Sequence, residues 1–316
     1  MSDPYMRIHG MAPALNYGQQ AYEGLKAFRL PGDSTISIFR PDRNAARLQY
    51  SADFISIPPV PTELFLSAVK AAVALNAEFV PPHETGAAMY IRPQIYGSSA
   101  QLGLNPPEEY TFCVYVLPTG VYHGTHPVKA LIMDEFDRAA PNGTGSAKVG
   151  GNYAPVLRWS ERARNEGYGI TLHLDSKVHE EVDEFSTSGF IGALVDGEDV
   201  TLVVPDSKAV INSVTSDSVQ EIGKSFGWKV ERRPVSLGFF LFPGFLFFRA
   251  WVGLEFWYYV PAVVITARPL RGPRPQSRAF QGRVAQPARW ATISPPILPP
   301  DPHPSPSIRC FDQPGS

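Results

Sequence analysis

The chain has 316 residues, 44% of them hydrophobic and 18% charged, with a formal net charge of -2. That length allows two domains with cores of their own, and the near-neutral balance argues against nucleic acid or an anionic membrane as partner. Cys113 and Cys310 are too few for a disulfide framework and fit a reducing compartment; Met1 to Gly10 has no apolar run of signal-peptide length, so a cytoplasmic protein is expected.

In chain order, Tyr17 to Arg29 alternates aromatic with polar and small residues, the pattern of a strand or loop facing a cavity. Ser34 to Phe39 reads as a strand by its β-branched alternation. Asp42 is expected to cap a helix that carries Arg43, Arg47 and Leu48 to about Phe54, where Arg47 by itself reads as a plain surface charge. Thr62 opens a second predicted helix, with Leu64, Ala68, Ala72, Leu75 and Phe79 as its core stripe. Ala88 to Tyr96 is a predicted strand with Tyr90 and Arg92 on one face. An arginine there is costly to bury unless it meets an anion or carboxylate. Tyr110 to Leu117 is another strand, and the turn-rich stretch from Pro118 to Pro127 is taken as a domain boundary.

A strand over Lys129 to Glu135 leads into Pro141-Asn-Gly-Thr-Gly-Ser-Ala-Lys148-Val-Gly-Gly-Asn-Tyr153. Gly143, Gly145, Gly150 and Gly151 allow turns and close approach around one lysine. A phosphate-binding P-loop needs glycine before the lysine and Ser/Thr after it, and Ala147 and Val149 stand there instead. Two readings remain from these residues: a surface loop, or a lysine held to form a Schiff base with a carbonyl such as pyridoxal phosphate.

Beyond it, a helix from Val156 stops near Gly167, and Tyr168 to Leu174 is a strand. Ala193 to Val195 and Val200 to Val204 form a predicted hairpin across Asp196-Gly197. Glu181 to Phe190 is rich in acid and hydroxyl groups. The helix from Ser213 to Gly227 presents either an anion site or an ordinary capped N-terminus.

Taken in order, Tyr17-Gly-x-x-x-Tyr22-Glu23-Gly24, Tyr90-Ile-Arg-Pro93, Arg138-Ala-Ala-Pro141, Ala147-Lys-x-Gly-Gly-Asn-Tyr153 and Glu184-x-x-Thr-Ser188 resemble the branched-chain aminotransferases. These are fold-type-IV pyridoxal-phosphate enzymes, and the closest look is that of fungal enzymes, some of them in secondary pathways. The resemblance runs from about Met11 to Leu237. It implies a mixed α/β (α+β) fold: a small substrate-lining domain over 1–121, a connection over 122–129 and a cofactor-binding domain over 130–237. It implies pyridoxal 5'-phosphate as cofactor, an amino acid and a 2-oxo acid as substrates, a homodimer, and no metal.

By the same resemblance, Lys148 would carry the cofactor as a Schiff base and shuttle the proton. Glu184 would meet the ring nitrogen, Tyr153 the phenolate oxygen, and Arg47 the phosphate, assisted by the helix N-terminus at Val214 and Thr215. Tyr17, Tyr22, Tyr90, Arg92 and Tyr122 would line the substrate pocket, Arg92 with Tyr90 accepting the second carboxylate of glutamate. The implied reaction moves an amino group between a branched-chain L-amino acid and 2-oxoglutarate. A D-amino-acid transaminase or lyase on the same fold, and an inactive relative, are the alternatives.

Two departures stand out. Gly189 replaces an asparagine common in the family. After Leu237 no Gly-Thr-Ala segment follows, and 238–316 turns apolar and then proline-rich, which reads as an anchor, as disorder, or as a shifted frame or retained intron. The large domain is then incomplete, and the expectation is a poorly soluble, nearly inactive chain.

Overall fold

The computed structural model describes residues 5–120 and 128–237. Tyr122, most of the predicted 122–129 connection and the whole of 238–316 lie outside them.

The first layer is a five-stranded antiparallel sheet. A short helix α1 (Pro13–Tyr17) ends in left-handed Gly18 and leads to β1 (Gln20–Tyr22), β2 (Leu25–Arg29) and β3 (Ile36–Ile38). Helices α2 (Pro41–Phe54) and α3 (Thr62–Ala74) follow, then the long strands β4 (Ala88–Gly97) and β5 (Tyr110–Thr119). β5 pairs along all of β4, while the other edge of β4 is shared: β2 takes Met89 to Ile91 and β1 takes Gln94 to Tyr96. Between them, Pro93 has no N–H to offer a ladder, and its carbonyl accepts the Glu23 amide at 2.8 Å. The chain is therefore free to turn at Glu23-Gly24, midway along a central strand. Met89, Ile91 and Ile95 point into a core with Leu48, Phe65 and Val69 from the helices, while Tyr90, Arg92 and Gln94 form a half-buried row on the other face.

After 128 the chain builds two three-stranded sheets. β6 (Ala130–Met133) and β7 (Ile170–Leu174) run parallel with α4 (Leu157–Asn165) between them in sequence, and β8 (Val182–Phe185) returns antiparallel to β7. β9 (Gly192–Asp196) and β10 (Asp199–Pro205) form a hairpin whose turn uses left-handed Gly197. α5 (Val214–Ser225) then carries the chain to β11 (Lys229–Arg233), parallel to β10. Past β11 the backbone returns to β8, where Val182 N–H donates to the Val235 carbonyl at 2.8 Å and Leu237 N–H to the Glu180 carbonyl at 2.9 Å. Leu172, Val182, Val203 and Val235 close this second core.

Two local expectations are corrected. Asp42 does not cap α2: Pro41 begins the helix behind a left-handed Arg40, and Asp42 sits in the first turn, where its charge still favours the helix end. On α3 the buried residues are Phe65, Val69 and Val73, whereas Leu64 and Leu75 are 42% and 77% exposed. Both series fit a helical period, and packing against the sheet selects the one a residue further on. Among the described residues no helix is long and apolar enough to cross a membrane.

His173 on β7 is fully buried, its Nε2 sharing a hydrogen bond of 3.0 Å with Thr171 Oγ1 and its ring edge-on to Phe136. Burial, aided by the charge of Arg138, pushes its pKa down to about 4. The unfolded chain takes up this proton near pH 6.5 and the folded one does not, so this contribution to stability is full above that pH and lost on acidification. Relative to His173→Gln, the parent should lose about 2 kcal/mol more stability between pH 7 and pH 5, as read by urea unfolding at the two pH values.

Candidate active site

The lysine stretch is held by both halves of the fold. Ala147 and Val149 are buried in the first core, and Val149 bridges to Ala21 of β1. The Lys148 amide donates to Ser51 Oγ on α2 at 2.8 Å, and its carbonyl accepts from Tyr22 N–H at 3.1 Å. Asn152, itself buried, staples the loop by donating to the carbonyls of Thr144 and Ala147 at 2.7 and 2.8 Å. The four glycines expected to turn here all keep negative φ. Gly145 is needed for space: a Cβ there would overlap the carbonyl of Ala209.

With the backbone fixed, a turn of 3-10 helix over Gly150–Asn152 brings Tyr153 beside Lys148, whose Nζ donates to Tyr153 Oη at 3.0 Å. The amine lies 4.7 Å from the Tyr22 ring centroid and 4.8 Å from that of Tyr153, and those two rings meet edge to face. Burial beside Tyr153 raises the Tyr22 phenol well above its ordinary pKa. Arg92 lies over the rings of Tyr22 and Tyr90 at 4.7 and 5.1 Å and donates to Tyr90 Oη at 2.7 Å, while its buried Nε has no acceptor among the described residues. Gly24 is glycine for a steric reason, since a Cβ would overlap the Tyr90 hydroxyl. Lys148, Tyr153, Tyr22, Tyr90 and Arg92 thus form one continuous group. Tyr17 is anchored elsewhere, its hydroxyl donating to the Leu102 carbonyl.

Arg47 departs from the surface reading. Its Nε and Nη2 donate to the two oxygens of Glu23 at 2.6 and 2.8 Å, and Nη1 to the Asn212 carbonyl at 3.0 Å. Glu23 is 0% exposed and also accepts from Asn44 Nδ2 at 2.7 Å. The arginine is thereby aimed at the start of α5. There Ser213 caps the helix by accepting from Ser216 N–H at 3.1 Å, leaving the amides of Val214 and Thr215 without an acceptor among the described residues. Arg40 and Arg43 both pair with Asp217 in that first turn, at 2.8 and 3.0 Å. A cavity of about 390 Å³ opens here between Arg43, Arg47, Tyr50, Asn212 and Val214.

Glu184 lies next to a second hollow of about 670 Å³ that it lines together with Gly189, Ile211, Asn212 and Ser213. Burial raises its carboxyl to about pKa 7, against the pull of Arg138, whose Nη2 pairs with it at 2.7 Å. Lys148 also acts on Glu184, and Glu184 and Tyr153 act on Arg47, so these four groups share one electrostatic environment. Gly189 packs near the Ser213 side chain. Glu23 and Arg138 are the two residues that sequence reasoning left out of the site. Both were quoted within motifs, and the signal for them was a charge beside a small residue or a small-residue run.

An amine, a buried carboxyl, a phenol and an arginine beside free helix amides match the functional groups of a phosphorylated pyridine aldehyde, so the donor set fits pyridoxal phosphate. Residues 20–241 match the family described as Amino-transferase class IV. The chain belongs to that family, whose members are pyridoxal-phosphate enzymes. It is similar to Aminotransferase poxL of Penicillium oxalicum, with 59% identity over 73% of this chain and 63% of that protein. It is 53% identical to the Branched-chain amino acid aminotransferase gloG of Glarea lozoyensis, over 75% of this chain and 66% of that protein. The chain therefore spans less than two thirds of the length of these relatives. Among solved structures it resembles the branched-chain amino acid aminotransferase of Escherichia coli, with a TM-score of 0.60 and 25% identity over 73% of this chain and 72% of that one.

Removing Glu23 leaves the Arg47 guanidinium buried without its counter-charge. Glu23→Ala should destabilise the fold by about 3–5 kcal/mol, measured by urea unfolding. Tyr50→Phe, which loses only the bond to Ser146 Oγ, should cost about 1 kcal/mol by the same measurement.

Proposed function

We propose that the chain uses pyridoxal 5'-phosphate to move an amino group between a branched-chain or similarly apolar L-amino acid and 2-oxoglutarate. The observation that carries this reading is the placement of the Lys148 amine, in hydrogen-bond contact with Tyr153 and in one electrostatic environment with Glu184 and Arg47. When bound, pyridoxal phosphate supplies the electron sink that amino-group transfer needs.

The residues divide the remaining work. Lys148 holds the cofactor and, once freed by substrate, moves a proton at its Nζ. Tyr153 orients that amine and offers its hydroxyl to the phenolate oxygen. Glu184, when ionised, holds a proton on the ring nitrogen, because an opposite charge favours the cationic form. Arg47 holds the phosphate through the N–H groups that Glu23 and Asn212 do not take, with the Val214 and Thr215 amides beside it. Tyr22 covers the amine with an aromatic face and limits water. Arg92, with a buried Nε lacking an acceptor among the described residues, suits the second carboxylate of 2-oxoglutarate. The names of gloG and of the Escherichia coli structure support the branched-chain substrate class.

Borohydride treatment after loading with pyridoxal phosphate should fix the cofactor covalently in the parent and not in Lys148→Ala, as read by intact mass. Transamination should fall about 10²-fold or more in that variant. Retained fixation would remove Lys148 from the proposed role. Arg92→Leu should raise KM for 2-oxoglutarate by about 10- to 100-fold, since a charge-assisted hydrogen bond is worth about 1.5–3 kcal/mol, and change KM for apolar 2-oxo acids little. An equal loss on both substrates would take the second-carboxylate role from Arg92.

A further inference from the structure

Arg138 lies between β6 and the lysine stretch, and its side chain is 4% exposed. Its Nη2 serves three acceptors: Glu184 Oε1 at 2.7 Å, the Ala209 carbonyl at 2.6 Å and the Gly145 carbonyl at 3.2 Å. These acceptors belong to three different segments, namely β8, the approach to α5, and the lysine loop. The absence of a side chain at Gly145 lets the last two close on each other around the guanidinium.

We propose that Arg138 is the positioning residue of this site: it favours the ionised form of the buried Glu184 carboxyl and fixes it in register with the lysine loop and the start of α5. The inference rests on the reading of Glu184 as the partner of the cofactor's ring nitrogen. A neutral carboxyl cannot favour a cationic nitrogen, so whatever sets the charge of Glu184 sets its usefulness.

The groups that act on Glu184 are few. Arg138 and Lys148 favour its charged form, as does the Ile211 amide, 3.4 Å from Oε2, while Asp183 opposes it. Arg138 in turn faces His173 from β7 and Asp183 from β8. His173 stays neutral down to about pH 4 and adds no positive charge near neutrality. Asp183 is itself pushed up by burial and eased by Arg138. Lys148 and Arg47 are the other cations: the Lys148 amine is the group proposed to react and so is no constant source of charge, and Arg47 is already paired with Glu23. Arg138 is the permanent cation that pairs directly with Glu184.

The test follows the Glu184 carboxyl directly, in the protein without pyridoxal phosphate. Protein labelled with 13C at the glutamate carboxyls is titrated by NMR, and the Glu184 signal is assigned by its loss in Glu184→Gln. The parent midpoint is expected at about 7. In Arg138→Met it should rise by about one pH unit or more, and in Arg138→Lys, which restores the charge, it should return to within about half a unit of the parent. Arg138→Gln keeps a donor for the two carbonyls and is read in the same way where Arg138→Met does not fold. A midpoint unchanged in a folded Arg138→Met or Arg138→Gln overturns the proposal, as does one in Arg138→Lys as high as in Arg138→Gln. Since no cofactor is present, this failure is distinct from a failure of the borohydride test.

Discussion

Two carboxylates almost without access to water, Glu23 and Glu184, each hold an arginine. A lone buried charge is expensive, and the penalty is offset only when the partner approaches closely and the remaining donors find acceptors. That condition dictates much of the surrounding backbone. Glu23 sits where the chain breaks away from β4, and Arg47 reaches across from α2 to meet it. Arg138 places one nitrogen among three oxygens, two of them supplied by the lysine loop and the approach to α5. The geometry around Lys148 is thus the by-product of two charge-burial problems, and this accounts for its being held so firmly on a loop.

The loop's placement between cores has a second effect. Ala147 and Val149 are packed with the sheet of β1 to β5, while Arg138, a few residues earlier, is committed to β8 and the approach to α5. Lys148 therefore senses the position of both layers. A change in either packing reaches the amine through rigid backbone, without any direct contact to it.

Many of the strands, though not their order and not β8 or β11, could be read from the sequence, because β-branched alternation and turn residues such as Asp196-Gly197 act locally. The lysine stretch was legible for a chemical reason, as its small residues exclude a P-loop and single out one amine. Packing choices were less legible. On α3 two apolar series fit one helical period, and only contact with the sheet distinguishes Phe65, Val69 and Val73 from Leu64 and Leu75. Ion pairing was the least legible. Arg47 and Glu23 are 24 residues apart, and neither spacing nor propensity says which acid an arginine will meet. Tyr17, grouped with the site by its motif, donates its hydroxyl to the Leu102 carbonyl, a contact that no local pattern announces.

The return of the chain from β11 to β8 bears on how the protein is made. Val235 is fully buried in the second core, and its carbonyl accepts from the β8 backbone. That core opens with β6 and cannot be sealed until the segment after β11 has left the ribosome. The layer of β1 to β5 waits only for the lysine loop, since its strands and helices precede residue 120 and Ala147 and Val149 complete its core. Synthesis thus favours an order in which the first layer is a finished surface before the second begins to close, with loop closure over long sequence separations setting the slower step.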